Sequence, residues 1–92
     1  YRTMDFDDLQ VVIDTLSGVK VKISGVGLYV NGLCFLAKEP GSLNSFMIDI
    51  NSLSRDERKW IVSKCSQYCR ITVYGTVGLV NYQKGLILDK IE

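Results

Sequence analysis

The residues of this 92-residue chain best suited to covalent chemistry are its three cysteines, and their spacing limits what they can do. Cys65 and Cys69 flank Ser66-Gln67-Tyr68. Helical patterning loses its support near Ser66 and Ile71 already reads as strand, so the chain must reverse between them. Such a reversal can bring two α-carbons inside the ~4.4–6.8 Å window that a disulfide requires. A loop this short saves little chain entropy, so the bond would mainly fix local geometry. A second reading stays open, in which both cysteines are reduced and one is a small core hydrophobe; the disulfide is the expectation for the mature protein. Zinc is not expected, because two thiolates, a distant Cys34 and no histidine cannot supply four ligands. Without C-x-x-C spacing a redox role is not expected either. Cys34 reads as a buried free thiol in a strand.

Other chemistry is scarce. The chain has no histidine, so the commonest general base and metal ligand are missing. No glycine-rich phosphate loop and no Ser/His/Asp set is present. Asp5, Asp7 and Asp8 lack the further spaced oxygen ligands and distal Glu of a calcium loop. The chain is therefore not expected to be an enzyme, to hold a metal, or to need a cofactor.

Length and composition point to one ordinary globular domain: 47% of residues are apolar and 23% charged. The longest uncharged run, Ile23 to Ala37, is broken by Gly25, Gly27, Asn31 and Gly32, and no stretch approaches the ~20 apolar residues of a membrane span. Net charge is +1, weak grounds for a polyanionic partner. It is uneven: Arg2 against Asp5, Asp7, Asp8 and Asp14 leaves residues 1–18 at −3, and ten basic against six acidic residues leave 19–92 at +4. The chain opens at Tyr1 with Met4 as its first methionine, and is expected to be a piece of something longer.

The elements follow from periodicity. In residues 1–17, Phe6, Leu9, Ile13 and Leu16 share one helix face and Gly18 is a stop, although Val11-Val12-Ile13 could be extended; the expectation is a short helix or docked arm. Val19, Val21 and Ile23 then alternate with Lys20, Lys22 and Ser24, a strand with one apolar face. Gly25 and Gly27 suggest a bulge or bend. Asn31-Gly32 is a hairpin turn leading to a second strand, Leu33 to Lys38. A loop from Glu39 to Ser45 precedes a third strand, Phe46 to Ile50. Ser54-Arg55-Asp56-Glu57 fits a capping box and starts a helix to about Ser66, with Trp60, Ile61 and Cys65 towards the core. Arg70–Gly78 and Gly85–Ile91 are the last strands, with a loop from Leu79 to Lys84 between them.

This order, with a long glycine-broken first strand and a helix between strands three and four, is the layout of a mainly β, five-stranded OB-type Greek-key barrel over residues 18–92. An SH3-like barrel is the nearest rival, but it rarely carries a full helix there. The stretch Ser17-Gly18-Val19-Lys20-Val21-Lys22-Ile23-Ser24-Gly25 resembles the opening strand of small bacterial OB-fold proteins. Arg70 to Gly78 followed by Lys84 to Ile91 resembles their last two strands. The resemblance covers roughly residues 16–92. It implies a nucleic-acid-binding module, as some such domains are described, and an exported or lipid-anchored protein.

OB domains bind across strands two and three and the loops after strands one and four. On that basis Tyr82 is a candidate to stack on a base and Lys84 to meet a phosphate, joined by Tyr29, Lys22 and Lys38. Arg55, Arg58, Lys59, Lys64 and Arg70 read instead as a solvated helix face partly paired with Asp56 and Glu57, and Trp60 as helix-to-barrel packing. The leading expectation is single-stranded nucleic-acid binding. The alternative is a protein-interaction or accessory domain of an exported bacterial protein, favoured by the near-neutral charge and the short Asn31-Gly32 turn. A disulfide would place the protein outside the cytoplasm, in the periplasm or anchored at the outer membrane.

Overall fold

A computed structural model describes residues 1–92. It is mainly β, with a six-stranded mixed sheet and two α-helices. The elements are β1 (Arg2–Thr3), α1 (Phe6–Val12), a 3-10 turn (Ile13–Thr15), β2 (Lys20–Val30), β3 (Leu33–Ala37), β4 (Ser45–Asp49), α2 (Arg55–Lys64), β5 (Cys69–Val80) and β6 (Gln83–Ile91). No helix is long and apolar enough to cross a membrane.

The N-terminal segment is a two-residue strand followed by a helix. Asp5 caps α1 by accepting the Asp8 N–H at 2.8 Å, and Asp7 and Asp8 sit where the helix dipole favours negative charge. The i, i+3, i+7 spacing buries Phe6, Leu9 and Ile13 in the core, and Phe6 meets Phe46 with ring centroids 4.7 Å apart. β1 pairs in parallel with the start of β2.

β2 pairs with β5 from Lys20 to Gly27 and with β3 from Val26 to Val30, so one strand belongs to two ladders. No bulge interrupts it; the irregularity falls in the β5–β6 ladder, where the register shifts between Tyr74 and Gly75 and Asp89 of β6 is left without a partner. Gly25 and Gly27 instead permit close approach: a Cβ would lie 2.7 Å from the Ala37 carbonyl oxygen at the first and 2.9 Å from the Cys69 Sγ at the second. β3 pairs with β4, β4 in parallel with β6, and β6 with β5, so the pairings return to β2.

Two expected boundaries change. The third strand and the helix lie within a residue or two of their predicted spans, but the Leu79–Lys84 loop is not a loop. β5 runs on to Val80, β6 starts at Gln83, and only Asn81-Tyr82 turns the chain, at φ 54° and 68°. Both residues are left-handed, which matches the strand twist in a two-residue hairpin. α2 ends at Lys64 and is capped by Cys65, whose N–H donates to the Ile61 carbonyl at 2.9 Å.

The capping box of α2 is complete: the Glu57 N–H donates to Ser54 Oγ at 3.2 Å and the Ser54 N–H to Glu57 Oε1 at 3.1 Å. The other Glu57 oxygen accepts the Ile91 N–H at 2.9 Å, tying the helix to the end of β6. Ile61 and Cys65 point into the core as expected, but Trp60 remains 39% exposed. With i+1 spacing it cannot share the face of Ile61, and it lies instead beside Ile91 over a shallow groove.

Candidate functional site

The interior of the sheet is filled by an apolar core that includes Val21, Ile23, Leu36, Phe46, Ile48, Val73, Leu86 and Leu88. Successive strand residues face opposite sides, so their neighbours in sequence form the outer surface. On β2 that outer set is Lys20, Lys22, Ser24, Val26, Leu28 and Val30. The first three are polar and the last three apolar.

The apolar half continues across the next strands. Val26 stands opposite Ala37, Leu28 opposite Phe35, Val30 opposite Leu33, and Phe35 opposite Met47. Ile87 of β6 follows beside Asp49. Val26, Ala37 and Val80 are buried yet lie outside the core cluster. They form a second apolar layer on the outside of the sheet. Val30 and Leu33 are 41% and 42% exposed. A depression of about 220 Å³ at the edge of this layer is lined by Leu33, Met47, Asp49, Asn51, Val80 and Asn81. It contains no basic side chain. Asp49, its one acid, accepts the Asn51 N–H at 2.8 Å.

The β5–β6 hairpin tip stands beside that depression. Tyr82 is 96% exposed and has φ 68°. An L-residue with a bulky side chain is disfavoured there, where glycine is the usual occupant. The same fold position in the β2–β3 hairpin is filled by Gly32, after Asn31. Tyr82 therefore holds an unfavourable backbone conformation and has no packing to offset it.

The five nominated binding residues are not gathered into one site. Tyr82 marks the hairpin tip. Lys84 is close by in sequence but its Nζ donates to Ser17 Oγ, towards the end covered by the 3-10 turn. Tyr29 has the parity of the core, packs against it, and donates its N–H to the Cys65 carbonyl at 2.7 Å. Lys38 donates to Asp7 at 2.6 Å. Lys22 lies 3.9 Å from Glu92 and 5.3 Å from the centre of the Tyr74 ring.

Lys22 belongs to a different surface, the polar outer half of β2 with β5 and β6. Lys90 sits 4.3 Å from the Tyr74 ring centre, Lys20 5.5 Å from that of Tyr1, and the two tyrosines meet edge to face at 5.2 Å. Tyr1 donates to Asp89 at 2.9 Å, which raises its pKa. Tyr74 raises that of Lys22, and Asp7 that of Lys38, each by stabilising the ammonium. The lysines of this side are engaged with carboxylates and rings rather than standing free. The largest depression, about 820 Å³ between β1, α1 and β2, mixes Arg2 and Lys22 with Asp5 and Asp8.

On α2, Arg55, Arg58, Lys59 and Lys64 are solvated, and none pairs with Asp56 or Glu57. Cys65 and Cys69 are at disulfide distance, with α-carbons 4.8 Å apart. Cys34 is buried, which pushes its thiol up to about 11. No group of three or more His, Cys, Asp or Glu side chains could hold a metal ion.

Val26, Leu28, Val30, Leu33, Phe35, Met47, Val80 and Ile87 were not among the predicted site residues. For the five on β2 and β3 the signal lay in the uncharged run Ile23–Ala37, which is apolar on both strand parities. A strand with one wet face alternates; one that is apolar on both faces is covered on both. Comparison with protein-family models gives no match, and comparison with curated proteins gives none either.

Proposed function

We propose that this chain is a non-enzymatic binding module of OB type, and that its ligand is another protein seated on the outer apolar face of β2, β3 and β4. The closed circuit of pairings, the parallel β4–β6 pair and the helix between β4 and β5 support the five-stranded Greek-key barrel. The observation that carries the ligand class is the outer face itself. Contiguous apolar surface rimmed by polar residues marks a protein contact more often than a polyanion site. A nucleic-acid groove requires cations free to meet phosphates, whereas Lys20, Lys22 and Lys38 each face a carboxylate.

Single-stranded nucleic acid is the second reading, favoured by Tyr82, a fully exposed ring able to stack on a base. Labelled oligonucleotides titrated at low and physiological salt separate the two. The expected result is no binding at low salt, where backbone contacts are strongest. Binding that disappears in Tyr82→Ala and Lys84→Ala would replace the protein reading. A photo-crosslinking residue at Leu33 is expected to give a discrete protein adduct in cells, and one at Lys20 none. The Cys65–Cys69 pair supports an extracytoplasmic location, periplasmic or outer-membrane-anchored; finding three free thiols in native extracts would remove that support.

A further inference from the structure

We infer that the groove between α2 and the end of β6 receives an arginine side chain of another protein. α2 turns Ile61 and Cys65 into the core, and Trp60, the only tryptophan of the chain, is left outside with 39% of its surface open. Tryptophan carries more apolar surface than any other side chain and is highly buried on average. The groove it stands over holds about 380 Å³ and is walled by Asp56, Glu57, Trp60, Ile91 and Glu92. Two of these walls are apolar, three are carboxylates and none is basic.

The carboxylates are fixed in different ways. Glu57 accepts the Ile91 N–H at 2.9 Å and the Ser54 N–H at 3.1 Å, which keeps it ionised. Glu92 accepts the Tyr74 hydroxyl at 2.9 Å. Asp56 has no ion pair within the chain. The nearby bases point elsewhere. Lys90 precedes Ile91 in β6, so it faces the other side of the strand, 4.3 Å from the Tyr74 ring centre. Arg55, Arg58 and Lys59 stand roughly 100° or more around the helix from Trp60. Lys64 lies a turn beyond Trp60 and is not among the walls.

Charge complementarity selects the occupant. An anion would meet three carboxylates, and an uncharged apolar segment would take them out of water without a partner. A cation on an apolar stem suits both kinds of wall. Arginine suits them better than lysine, because its planar guanidinium stacks on an indole and its N–H fork fits a carboxylate. The groove shares no residue with the outer apolar face, so it is a second contact that stands or falls apart from the first.

Trp60 reports its own occupancy, since no other tryptophan contributes to the emission. The test titrates the protein with a short peptide of alternating leucine and arginine and follows tryptophan fluorescence. The expected result is a saturable change that weakens with added salt, as for any partly exposed charge contact. The same peptide with glutamate for arginine leaves the emission unchanged, and one with lysine binds more weakly. Asp56→Asn with Glu92→Gln weakens arginine-peptide binding by roughly 3–10-fold, the range for two exposed ion pairs. Asp14→Asn, which removes an exposed acid outside the groove, leaves it unchanged. Melting curves check that the variants fold. An emission indifferent to the arginine peptide at millimolar concentration overturns the inference. So does equal binding of the glutamate peptide, or equal weakening by Asp14→Asn.

Discussion

Replacing Tyr82 by glycine should make the protein more stable. Tyr82 sits at φ 68° with 96% of its surface in water. Left-handed backbone costs an L-residue about 1–2 kcal/mol relative to its right-handed alternatives. Glycine removes that cost but loses more unfolded-chain freedom on folding, about 0.5–1 kcal/mol. The difference is a gain of about 0.5–1 kcal/mol, since almost no packing is lost with so exposed a ring. For a domain of this size, 1 kcal/mol moves the melting temperature by about 4–8 °C, so Tyr82→Gly should raise it by roughly 2–8 °C. The turn it creates, Asn-Gly, is the one already present at Asn31-Gly32. The reciprocal change, Gly32→Tyr, should lower the melting temperature by a similar amount. Thermal unfolding followed by circular dichroism reads both. A Tyr82→Gly protein that melts at or below the parent temperature would refute the reasoning, because the tyrosine would then be making contacts that the exposed hairpin tip does not provide.

Three further outcomes follow from the packing and the charges. Gly27→Ala places a methyl 2.9 Å from Cys69 Sγ and 3.4 Å from Cys65 Sγ, and should destabilise by about 1–3 kcal/mol in urea unfolding. Thiol labelling of unreduced protein should find no reactive group in the native state and one, Cys34, in denaturant; reduction should then lower stability by about 2 kcal/mol or less, as for any short closed loop. The Glu57 carboxyl is held below its usual range, first by the Ile91 N–H and also by its capping bonds to Ser54. Its contribution is therefore present above the unfolded glutamate pKa near ~4.3 and is lost as pH falls through the lower folded value; Glu57→Gln should flatten that acid limb, and an unchanged limb would exclude Glu57 as its source.

What the sequence made legible was local chemistry. Ser54 and Glu57 are three residues apart and satisfy each other's backbone, so α2 begins where the sequence says. Phe6, Leu9 and Ile13 repeat on one helix face, and α1 lies there. The 79–84 segment misled because its signal was inverted: Tyr82 occupies a position that favours glycine, so its composition reads as loop while the backbone makes the tightest hairpin. Ion pairing was invisible because it is non-local. Lys38 meets Asp7 thirty-one positions away, and Lys22 meets Glu92 at the far end of the chain. The outer apolar face was legible in principle, since Val26 to Ala37 is apolar at odd and even positions alike. Read as two strands broken by Gly25, Gly27 and the Asn31-Gly32 turn, the run left its second face unassigned.

The division of the outer surface has a structural origin in one strand. β2 leaves β5 and joins β3 at Val26–Gly27, and its outward residues change from Lys20, Lys22 and Ser24 to Val26, Leu28 and Val30 at the same place. Before that point the outer neighbours are Thr72, Tyr74 and Lys90; at Val26 they are Arg70 on one side and Ala37 on the other, and beyond it Phe35, Leu33 and Met47. A strand alternating polar and apolar residues throughout would leave both halves wet, and one apolar throughout would leave both needing cover. Only the change in mid-strand gives a domain with one solvated side and one side suited to an apolar partner. Exchanging the character of a single pair across that line tests the division without touching the core. Leu28→Thr should be tolerated by the fold, because Leu28 lies outside the core cluster, yet weaken association through the face. Ser24→Val, which removes the 2.7 Å hydroxyl contact with Thr72, should leave association unchanged. If the two substitutions act alike on association, the boundary at Val26 has no bearing on what the protein binds.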